Sequence, residues 1–408
     1  MRILIFTQWF DPEPAFKGLI FAKQLRDAGN EVEVITGFPN YPGGTIYPNY
    51  KIRWFQREIM DEIKVNRVPL YPSHNSSATK RFFNYISFAI SSCIYGIFAA
   101  GRADIIYVYH PPITVGLSAA FVGMVRRVPF VIDINDLWPD TLAATGMVLN
   151  QQLLSLVEMT CQWLYRRASH VIVGTPGFRK RLIERGVPAE KIEVIYNWCD
   201  EQVLQLNENT HSDDFGMTGR FNVVFAGTMG KAQALNSVIH AANRLQTLTP
   251  SVQFIFVGGG IEVENLKALK DSLSVDNLVF LPIMPISEIG KILNNADVLL
   301  VHLKDEPLFE ITLPSKTQAY MSVGKPILMA VKGDAADLIQ FSRGGCCALP
   351  ENVASIVETV DKMANLESKT LAEMGSRNKM FYVKNLSLKV GVGKYLLIFK
   401  EVVSFKNH

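Results

Sequence analysis

The chain has 408 residues, of which 48% are hydrophobic and 19% are charged, and its formal net charge is +3. This composition is typical of a globular protein, and the length is sufficient for two domains. Such a small net charge gives no support to a nucleic-acid partner. An odd number of cysteines favours a reducing compartment over a disulfide framework, and no pair has zinc-ligand spacing. They are Cys93, Cys161, Cys199, Cys346 and Cys347.

The first residues, MRILIFTQWF, lack the layout of a signal peptide, because their apolar run is short and Asp11 follows at once. They read as a strand, and a helix over 19–28 and a strand over 32–35 complete a Rossmann-like unit. The motif GxGxxG is absent after the first strand, which argues against an NAD site. Gly18 has no side chain, so it either brings backbone N–H groups close to a diphosphate or forms a plain turn.

Residues 80–100, KRFFNYISFAISSCIYGIFAA, contain an apolar run of about 28 Å as a helix, which could just span a bilayer. Asn84, Ser87 and Ser91 form one polar stripe along it, which favours an amphipathic helix on a membrane surface. The alternative is a helix packed in the core. Basic residues near in sequence could face anionic head groups: Arg53, Arg57, Lys64, Arg67, Lys80 and Arg81.

Polar side chains follow two predicted strands of the N-terminal half. His110 ends the strand that begins at Ile105, and Asp136 and Asp140 follow the strand over 130–134. Residues directly after parallel strands lie at the carboxyl edge of the sheet, where such folds bind ligands. These three residues are therefore candidates for accepting or positioning protons, although a histidine after a strand is often structural. A basic helix over 176–185 is either a solvated face or a second membrane-facing patch.

A polar stretch over 207–220 reads as a linker between the halves, and its Asp213–Asp214 pair reads as solvated charge, since no DxD metal motif is present. After it, a strand over 222–225 leads into Gly227, Thr228 and Lys231, a glycine-rich turn that could cradle a phosphate. The P-loop pattern is not matched there. Gly258 and Pro282 follow two further predicted strands.

Residues 308–330, LFEITLPSKTQAYMSVGKPILMA, read as loop, helix, tight turn and strand. Pro314 and Ser315 suit a helix start, with Ser315 as a cap, and Gly324 suits its end. The helix start favours an anion, to which Lys316 adds a positive charge. Glu310 could accept hydrogen bonds from sugar hydroxyls. The pattern predicts a sugar-phosphate site, and an ordinary capped helix is the alternative.

Five stretches resemble the retaining GT-B glycosyltransferases of family 4, most closely the WbuB-like branch. They are WFDPEPAFKG at 9–18, TGFPNYPGG at 36–44, YVYHPP at 107–112, DLWPD at 136–140 and PSKTQAYMSVGKPI at 314–327. The resemblance implies an α/β GT-B fold with two Rossmann-like domains facing a central cleft. It places acceptor binding in residues 1–205 and nucleotide-sugar binding in 206–385. A C-terminal helix at 386–408 is expected to return to the first domain.

The chain departs from the family pattern at two places. The family has two glutamates separated by seven residues, whereas here Glu310 is followed by Gln318 eight positions later, with Ala319 in the alternative register. The carboxylate that usually holds the ribose is missing, and Gln318 or Lys316 would take that role. Thr228 stands where the family has arginine, which leaves Lys231 as the nearby cation.

The resemblance and the residue patterns together assign candidate roles. Catalytic candidates are His110, Asp136, Asp140 and Glu310. Donor-binding candidates are Gly18, Gly227, Thr228, Lys231, Gly258, Pro282, Thr312, Leu313, Ser315, Lys316 and Gln318. Acceptor-side candidates are Glu13, Asn40, Tyr41 and Trp138. No metal ligand and no cofactor is expected.

The resemblance implies a retaining, metal-independent glycosyltransferase that uses a UDP-sugar, with N-acetyl-L-fucosamine or a related amino-deoxy sugar as the transferred group. The implied acceptor is an undecaprenyl-diphosphate-linked saccharide in O-antigen or capsule synthesis. The expected location is the inner face of the cytoplasmic membrane, with peripheral attachment. The alternatives are a GT-B epimerase or phosphorylase and a non-catalytic nucleotide-sugar binding protein.

Overall fold

The computed structural model describes residues 1–73, 78–144, 148, 150–201, 204 and 215–406. The chain forms two compact units. Unit 1 contains Met1–Tyr196 and Lys389–His408, and unit 2 contains Asn197–Leu388. Of the linker expected at 207–220, residues 207–214 lie outside the described residues, and so do Asp213 and Asp214.

Unit 1 contains an eight-stranded sheet in the order β3-β4-β2-β1-β5-β6-β7-β8. Its strands are β1 (Arg2–Phe6), β2 (Glu31–Gly37), β3 (Gln56–Met60), β4 (Ile63–Val68), β5 (Ile105–His110), β6 (Phe130–Ile134), β7 (His170–Val173) and β8 (Ile192–Val194). Only the pairing of β3 with β4 is antiparallel. The central strands β5 and β6 are buried at every residue, as expected for apolar strands covered on both faces.

Helices connect these strands. They are α1 (Leu19–Asp27), α2 (Ala78–Phe98), α3 (Ile113–Arg126), α4 (Asp140–Ala144), α5 (Gln151–Arg167) and α6 (Pro176–Glu184). Crossovers between parallel strands are right-handed, so α2, α3 and α5 lie on one face of the sheet and α1 lies on the other. The contacts agree with this arrangement, because α3 packs against both α2 and α5.

Unit 2 contains a six-stranded parallel sheet in the order β11-β10-β9-β12-β13-β14. Its strands are β9 (Phe221–Ala226), β10 (Val252–Val257), β11 (Leu278–Leu281), β12 (Val298–His302), β13 (Ile327–Ala330) and β14 (Gly345–Cys347). Its helices are α7 (Asn236–Leu248), α8 (Val263–Ser272), α9 (Ile286–Asn295), α10 (Pro307–Glu310), α11 (Ser315–Val323), α12 (Asp334–Ser342), α13 (Val353–Ala364) and α14 (Ser368–Asn385). Two Rossmann-like α/β units with parallel sheets confirm the predicted fold class.

The last helix, α15 (Leu388–Lys406), belongs almost entirely to unit 1. It is attached there by a buried polar cluster around Asp133, whose Oδ2 accepts hydrogen bonds from the hydroxyls of Tyr395 at 2.5 Å and Tyr107 at 2.6 Å. Phe21 of α1 packs against both tyrosine rings. The cluster satisfies a buried carboxylate with donors from two parts of the chain that are far apart in sequence.

The polar stripe of α2 faces the preceding loop of unit 1 and not the solvent. Asn84 is buried and donates to the carbonyl of Tyr71 at 2.7 Å, and Ser91 donates to the carbonyl of Pro69 at 2.6 Å. Ser87 accepts from the backbone N–H of Tyr71. The stripe therefore bonds the preceding loop to the helix, and the large apolar side chains on the other face are exposed.

Gly96 lies inside α2 and allows it to approach its neighbours closely. A Cβ atom at this position would lie 2.8 Å from the side chain of Val122 in α3 and 2.9 Å from that of Phe6 in β1. The helix is continuous through Gly96. Within the part of the chain that the structure describes, no helix is both long and apolar enough to cross a membrane.

We predict that Tyr395→Phe lowers the free energy of unfolding of unit 1 by about 1.5–3 kcal/mol, because a buried carboxylate loses a hydrogen-bond donor. The measurement is urea denaturation followed by circular dichroism. Tyr71→Phe is the matched control, since Tyr71 is 45% exposed, and its effect should stay within about 0.5 kcal/mol. Equal stability of the two variants would show that the Tyr395–Asp133 bond does not hold α15.

Candidate functional site

In unit 2, strands β9 and β12 are neighbours, and the chain proceeds from them in opposite directions across the sheet. The loops that leave their carboxyl ends therefore diverge, which creates the crevice where open α/β sheets bind ligands. The loop after β9 contains Gly227, Thr228 and Lys231. The segment after β12 leads through α10 to the start of α11, where Lys316 lies. Topology thus brings the two predicted donor segments to one place.

The two glycine loops of unit 2 are bonded to each other. Gly227 donates its N–H to the carbonyl of Val257 at 2.9 Å, and Met229 donates to that of Gly259 at 2.8 Å. Gly258 has φ of +130°, and a Cβ atom there would lie 2.2 Å from the carbonyl oxygen of Gly227. Only glycine permits this approach. The loop after β9 is consequently fixed, with Gly227 and Thr228 exposed.

Lys316 places a buried ammonium group beneath this loop. Its Nζ lies 3.5 Å from the centroid of the Phe225 ring and would lie 3.5 Å from a Cβ atom at Gly227. Among the described residues, this Nζ has no hydrogen-bond partner. Burial disfavours the charged form and lowers the pKa of Lys316 to about 7. An anion at the Gly227 loop would supply the counter-charge.

The start of α11 differs in part from the predicted cap. Pro314 is the N-cap residue and no side chain caps the helix, so Ser315 is the first helical residue and is exposed. Gln318 is buried, and hydrogen bonding orients its amide nitrogen toward the carbonyls of Pro314 and Ser315 at 3.0 and 2.9 Å. Its role as a ribose ligand stays a prediction, and this inward orientation weighs against it.

The other donor-side candidates of unit 2 lie at the same edge of the sheet. Thr312 donates its hydroxyl to the carbonyl of Leu308 at 2.7 Å, and Leu313 is half-buried. Glu310 ends α10 with an exposed side chain, and Pro282 is exposed directly after β11. Glu310 is therefore available to a ligand, whereas the Thr312 hydroxyl already donates within its own segment.

Lys231 is exposed and begins a short 3-10 helix, Lys231–Gln233. It lines a cavity of about 370 Å³ together with Lys304, Glu262 and Glu351. Lys231 is therefore not the single cation near the glycine loop that the sequence indicated. Two carboxylates share its cavity, and Lys316 supplies the positive charge directly beneath Gly227.

Two residues that sequence analysis missed hold the ends of the β9 loop. The hydroxyl of Tyr320 accepts the N–H of Ala226 at 2.9 Å. His302 has a pKa lowered to about 4 by burial, so it is neutral, with Nδ1 2.7 Å from the Gln233 carbonyl and Nε2 accepting the N–H of Glu351 at 3.1 Å. His302 ends a parallel strand, the signal that identified His110. Tyr320 was indistinguishable from a core residue of α11.

Unit 1 has its own divergence point between β1 and β5. Gly18 lies there at the start of α1, but a Cβ atom on it would lie 2.3 Å from Oδ2 of Asp11. The same carboxylate accepts the first N–H of the helix, from Leu19, at 2.6 Å. A carboxylate thus occupies the position that the sequence offered to a diphosphate. Gly18 as a donor ligand stays a prediction, and the negative charge weighs against it.

Glu13 connects two loops of unit 1. Its Oε1 accepts the backbone N–H groups of Asn40 and Tyr41, both at 2.7 Å, and its Oε2 accepts that of Phe10 at 3.3 Å. Burial raises the pKa of Glu13 to about 7 against these three bonds, which lower it. The ring of Tyr41 packs 5.0 Å from that of Trp9. Glu13 thus positions Asn40 and Tyr41, which lie on the predicted acceptor side.

His110 is fully buried, and neither ring nitrogen has a hydrogen-bond partner among the described residues. Its ring lies 5.9 Å from that of Trp138 and 6.5 Å from that of Tyr165. Burial lowers the pKa of His110 to about 3, so the ring is neutral. A role of His110 in proton transfer stays a prediction. Because its ring is fully buried, a structural role in which it packs against Trp138 is favoured.

The two aspartates after β6 have different surroundings. Asp136 is half-buried and its pKa is raised by burial. Asp140 pairs with Arg181 at 3.3 Å and with Arg185, whose guanidinium also bonds the carbonyl of Trp138 at 3.3 Å. Asp140 as a proton acceptor stays a prediction, and these ion pairs weigh against it. Asp136 is the better candidate base.

The basic helix α6 is not the free positive face that the sequence left open. Besides the pairs of Arg181 and Arg185 with Asp140, Arg179 donates to the carbonyls of Ile192 and Ala189 at 3.3 Å each. These arginines hold α6 against neighbouring segments of unit 1.

Residues 21–198 match the family model for the glycosyl transferase 4-like domain, and residues 208–392 match that for glycosyl transferases group 1. The chain is a GT-B glycosyltransferase. The two models cover most of the chain and correspond to units 1 and 2 in turn. The prediction of a glycosyltransferase is confirmed.

Two curated relatives resemble the chain over most of its length. WcaI of Escherichia coli (strain K12), a candidate colanic acid biosynthesis glycosyl transferase, is 24% identical, over 88% of this chain and 90% of WcaI. WbjE of Pseudomonas aeruginosa, a candidate glycosyltransferase, is 21% identical, over 75% of this chain and 76% of WbjE. The chain thus resembles proteins that include one named for polysaccharide biosynthesis.

Solved structures share the fold at low sequence identity. Anabaena Alr3699/HepE in complex with UDP has a TM-score of 0.73 and 17% identity, over 98% of this chain and all of that one. Sucrose-phosphate synthase from Thermosynechococcus elongatus has a TM-score of 0.73 and 14% identity, over 99% of each chain. These similarities support the two-unit architecture along the whole chain.

We predict that Lys316→Met raises the free energy of unfolding by a few kcal/mol at pH 6, because it removes a buried charge. The pKa of Lys316 is about 7 in the folded state, against an ordinary 10.5. The destabilisation caused by burying the charged lysine is therefore complete below pH 7 and decreases as the pH rises. The gain should therefore be much smaller at pH 9. Urea denaturation at both pH values measures it.

Lys267→Met is the matched control for this prediction. Lys267 lies on α8, is 48% exposed in its side chain and pairs with Glu264. Its replacement should change stability by no more than about 0.5 kcal/mol at either pH. A pH-independent effect of Lys316→Met would contradict a buried, titrating ammonium.

Proposed function

We propose that this glycosyltransferase binds a UDP-sugar in unit 2 and transfers the sugar with retention of configuration. The observation that carries the proposal is the buried Lys316 ammonium at the divergence point of the sheet, which has no hydrogen-bond partner in the part of the chain that the structure describes. The UDP complex of the structurally similar Alr3699/HepE supports the choice of nucleotide. The diphosphate would lie at the Gly227 loop and the start of α11, where helix N–H groups favour anions.

Transfer breaks the bond between the sugar C1 and the diphosphate oxygen, and the bonding electrons leave with the diphosphate. The acceptor oxygen forms the new bond to C1 on the same face and releases its proton. Lys316 would move from the Phe225 ring toward the growing charge, which is the charge stabilisation that lowers such barriers most. We assign release of the acceptor proton to Asp136, whose raised pKa suits a base.

Glu310 is the proposed ligand of donor-sugar hydroxyls, because it is exposed at the end of α10 next to the α11 segment. The resemblance to WbuB-like sequences favours N-acetyl-L-fucosamine or a related amino-deoxy sugar. The named role of WcaI in colanic acid biosynthesis supports surface polysaccharide assembly, as O-antigen or capsule. The proposed acceptor is an undecaprenyl-diphosphate-linked saccharide.

A lipid-linked acceptor requires contact with the inner face of the cytoplasmic membrane. The exposed rings of Phe82 and Phe83 at the start of α2 are the proposed contact, with Lys80 and Arg81 beside them in sequence. Aromatic and basic side chains together are typical of surfaces that bind anionic membranes. Attachment would be peripheral.

We predict that UDP binding at pH 8 takes up close to one proton, since an adjacent diphosphate restores the charged form of Lys316. Calorimetry in two buffers of different ionisation enthalpy measures the uptake. Lys316→Met should bind UDP without proton uptake and turn over about 100-fold more slowly. Equal proton uptake in the variant would place the titrating group elsewhere.

Three variants serve as controls for this measurement. Lys231→Ala should also slow turnover by about 100-fold, but should leave proton uptake unchanged. Asp136→Asn and His110→Ala should reduce transfer with little change in UDP affinity. If these two unit 1 variants abolished UDP binding while the lysine variants did not, the assignment of the donor to unit 2 would be reversed.

We predict that replacing Phe82 and Phe83 by serine shifts the protein from membranes to the soluble fraction and leaves UDP affinity unchanged. The physical reason is loss of apolar surface that would insert between lipids. Sedimentation with vesicles that contain phosphatidylglycerol measures it. Leu248→Ser with Ile261→Ser removes two exposed apolar side chains of unit 2 and is the matched control. Equal release by both double variants would remove the specific role of α2.

A further inference from the structure

Exposed apolar side chains on unit 1 are not confined to the start of α2. Helices α2, α3 and α5 each connect parallel strands, so all three run from the carboxyl edge of the sheet back to its amino edge. They lie side by side on the same face, with α3 in the middle. Their outward sides form one surface, the α2–α3–α5 layer.

The amino-edge end of this layer is apolar and exposed. We define the amino-edge patch as Phe121, Met124 and Val125 of α3 with Met159 and Trp163 of α5, all of which are exposed. Ile94 and Phe98 of α2 are exposed at the same end. Apolar surface on this scale, gathered at one place, marks an interaction site rather than ordinary surface.

The charges on the layer favour an anionic partner. Neither α2 nor α3 contains an acidic residue, and the single acid of α5, Glu158, lies 3.5 Å from Arg185. Exposed arginines at 127, 166 and 167 follow or end α3 and α5 at the amino edge. The Arg167 guanidinium lies 5.7 Å from the centroid of the Trp163 ring. Aromatic and basic groups side by side suit the interface between acyl chains and anionic head groups.

A small groove opens within the amino-edge patch. It has a volume of about 140 Å³ and lies between α3 and α5, where Met124, Val128, Trp163 and Arg167 line it. Most of the residues that line it are apolar, and Arg167 contributes a guanidinium. A few methylene groups of an acyl chain would fit it, with an anionic head group at Arg167.

We propose that the outer face of the α2–α3–α5 layer lies flat on an anionic lipid membrane, with the amino-edge patch inserted as a second contact. This rests on the membrane contact proposed above for Phe82 and Phe83 and adds the opposite end of the layer. The 21 residues of α2 extend over about 30 Å, so the two contacts are far apart. Two linked contacts bind more tightly than either alone and fix the orientation of unit 1.

The test uses Trp163, which is 42% exposed, as a reporter on the full-length protein. Vesicles of phosphatidylglycerol and phosphatidylcholine, with brominated acyl chains, quench tryptophans that enter the bilayer. The wild type should show a quenched component that Trp163→Phe lacks. Met124→Ser with Val125→Ser should weaken vesicle binding by about tenfold, through the lost apolar contact. Met380→Ser with Val383→Ser, exposed on α14 of unit 2, is the matched control and should not weaken it.

The outcomes separate this proposal from the one on which it rests. If the wild type binds vesicles and Phe82/Phe83 replacement releases it, but Trp163 is not quenched, flat docking is overturned while the α2 contact stands. If the wild type binds no vesicles, both fail. If the Met124/Val125 variant instead abolishes self-association in sedimentation velocity, the patch is an interface between copies, which also overturns flat docking.

Discussion

Unit 2 keeps a positive charge inside the protein without a hydrogen-bond partner for it among the described residues. The Lys316 ammonium lies on the face of the Phe225 ring, at the place where the loops after β9 and β12 separate. Burying such a charge lowers the stability of the fold, because the attraction of the ammonium to the ring face offsets only part of the free energy lost with its hydration. A bound anion would pair with the Lys316 ammonium and offset this cost. Gly227, Gly258, Tyr320 and His302 hold the loop after β9 in place above the ammonium.

Three carboxylates at the carboxyl edge of the unit 1 sheet are paired within the unit. Asp11 accepts the first N–H of α1, Glu13 accepts three backbone N–H groups, and Asp140 pairs with two arginines. These bonds fix the shape of the loops at the carboxyl edge and leave few groups for chemistry. Asp136, half-buried and with a raised pKa, is the exception that a reaction could use. Unit 2 thus contributes a buried positive charge, and unit 1 contributes loops whose conformation is fixed by hydrogen bonds and ion pairs.

The orientation of α2 connects the fold to its surroundings. Its small polar side chains bond the preceding loop, while Ser92 contacts Ser118 of α3 at 2.9 Å inside the helical layer. Five large apolar side chains of α2 are exposed to water, which is unfavourable for them, whereas Phe88 is buried. The exposed five are Phe82, Phe83, Ile90, Ile94 and Phe98. An amphipathic helix that turns its polar side inward makes physical sense when a lipid surface covers the other side.

The sequence by itself determined the features that depend on which residues are neighbours along the chain, namely the strands, the helices and the residues at their ends. Apolar runs such as 105–109 and 298–302 predicted the strands, and their alternation with helices predicted two Rossmann-like units, because burial on both faces demands continuous apolar strands. The strand-end position of Asp136 and the helix start at Lys316 were readable in the same way. Motif resemblance supplied the glycosyltransferase class.

Only the tertiary structure decided which of these groups are free to act. Gln318 turns inward, Asp140 is paired with arginines, the space over Gly18 is filled by Asp11, and the polar stripe of α2 faces the protein. Each outcome depends on a partner that lies elsewhere in the chain or on the direction of a side chain, and spacing along a sequence contains neither. Burial of the Lys316 ammonium is of the same kind, because the Phe225 ring reaches it only after β9 and α11 have packed together.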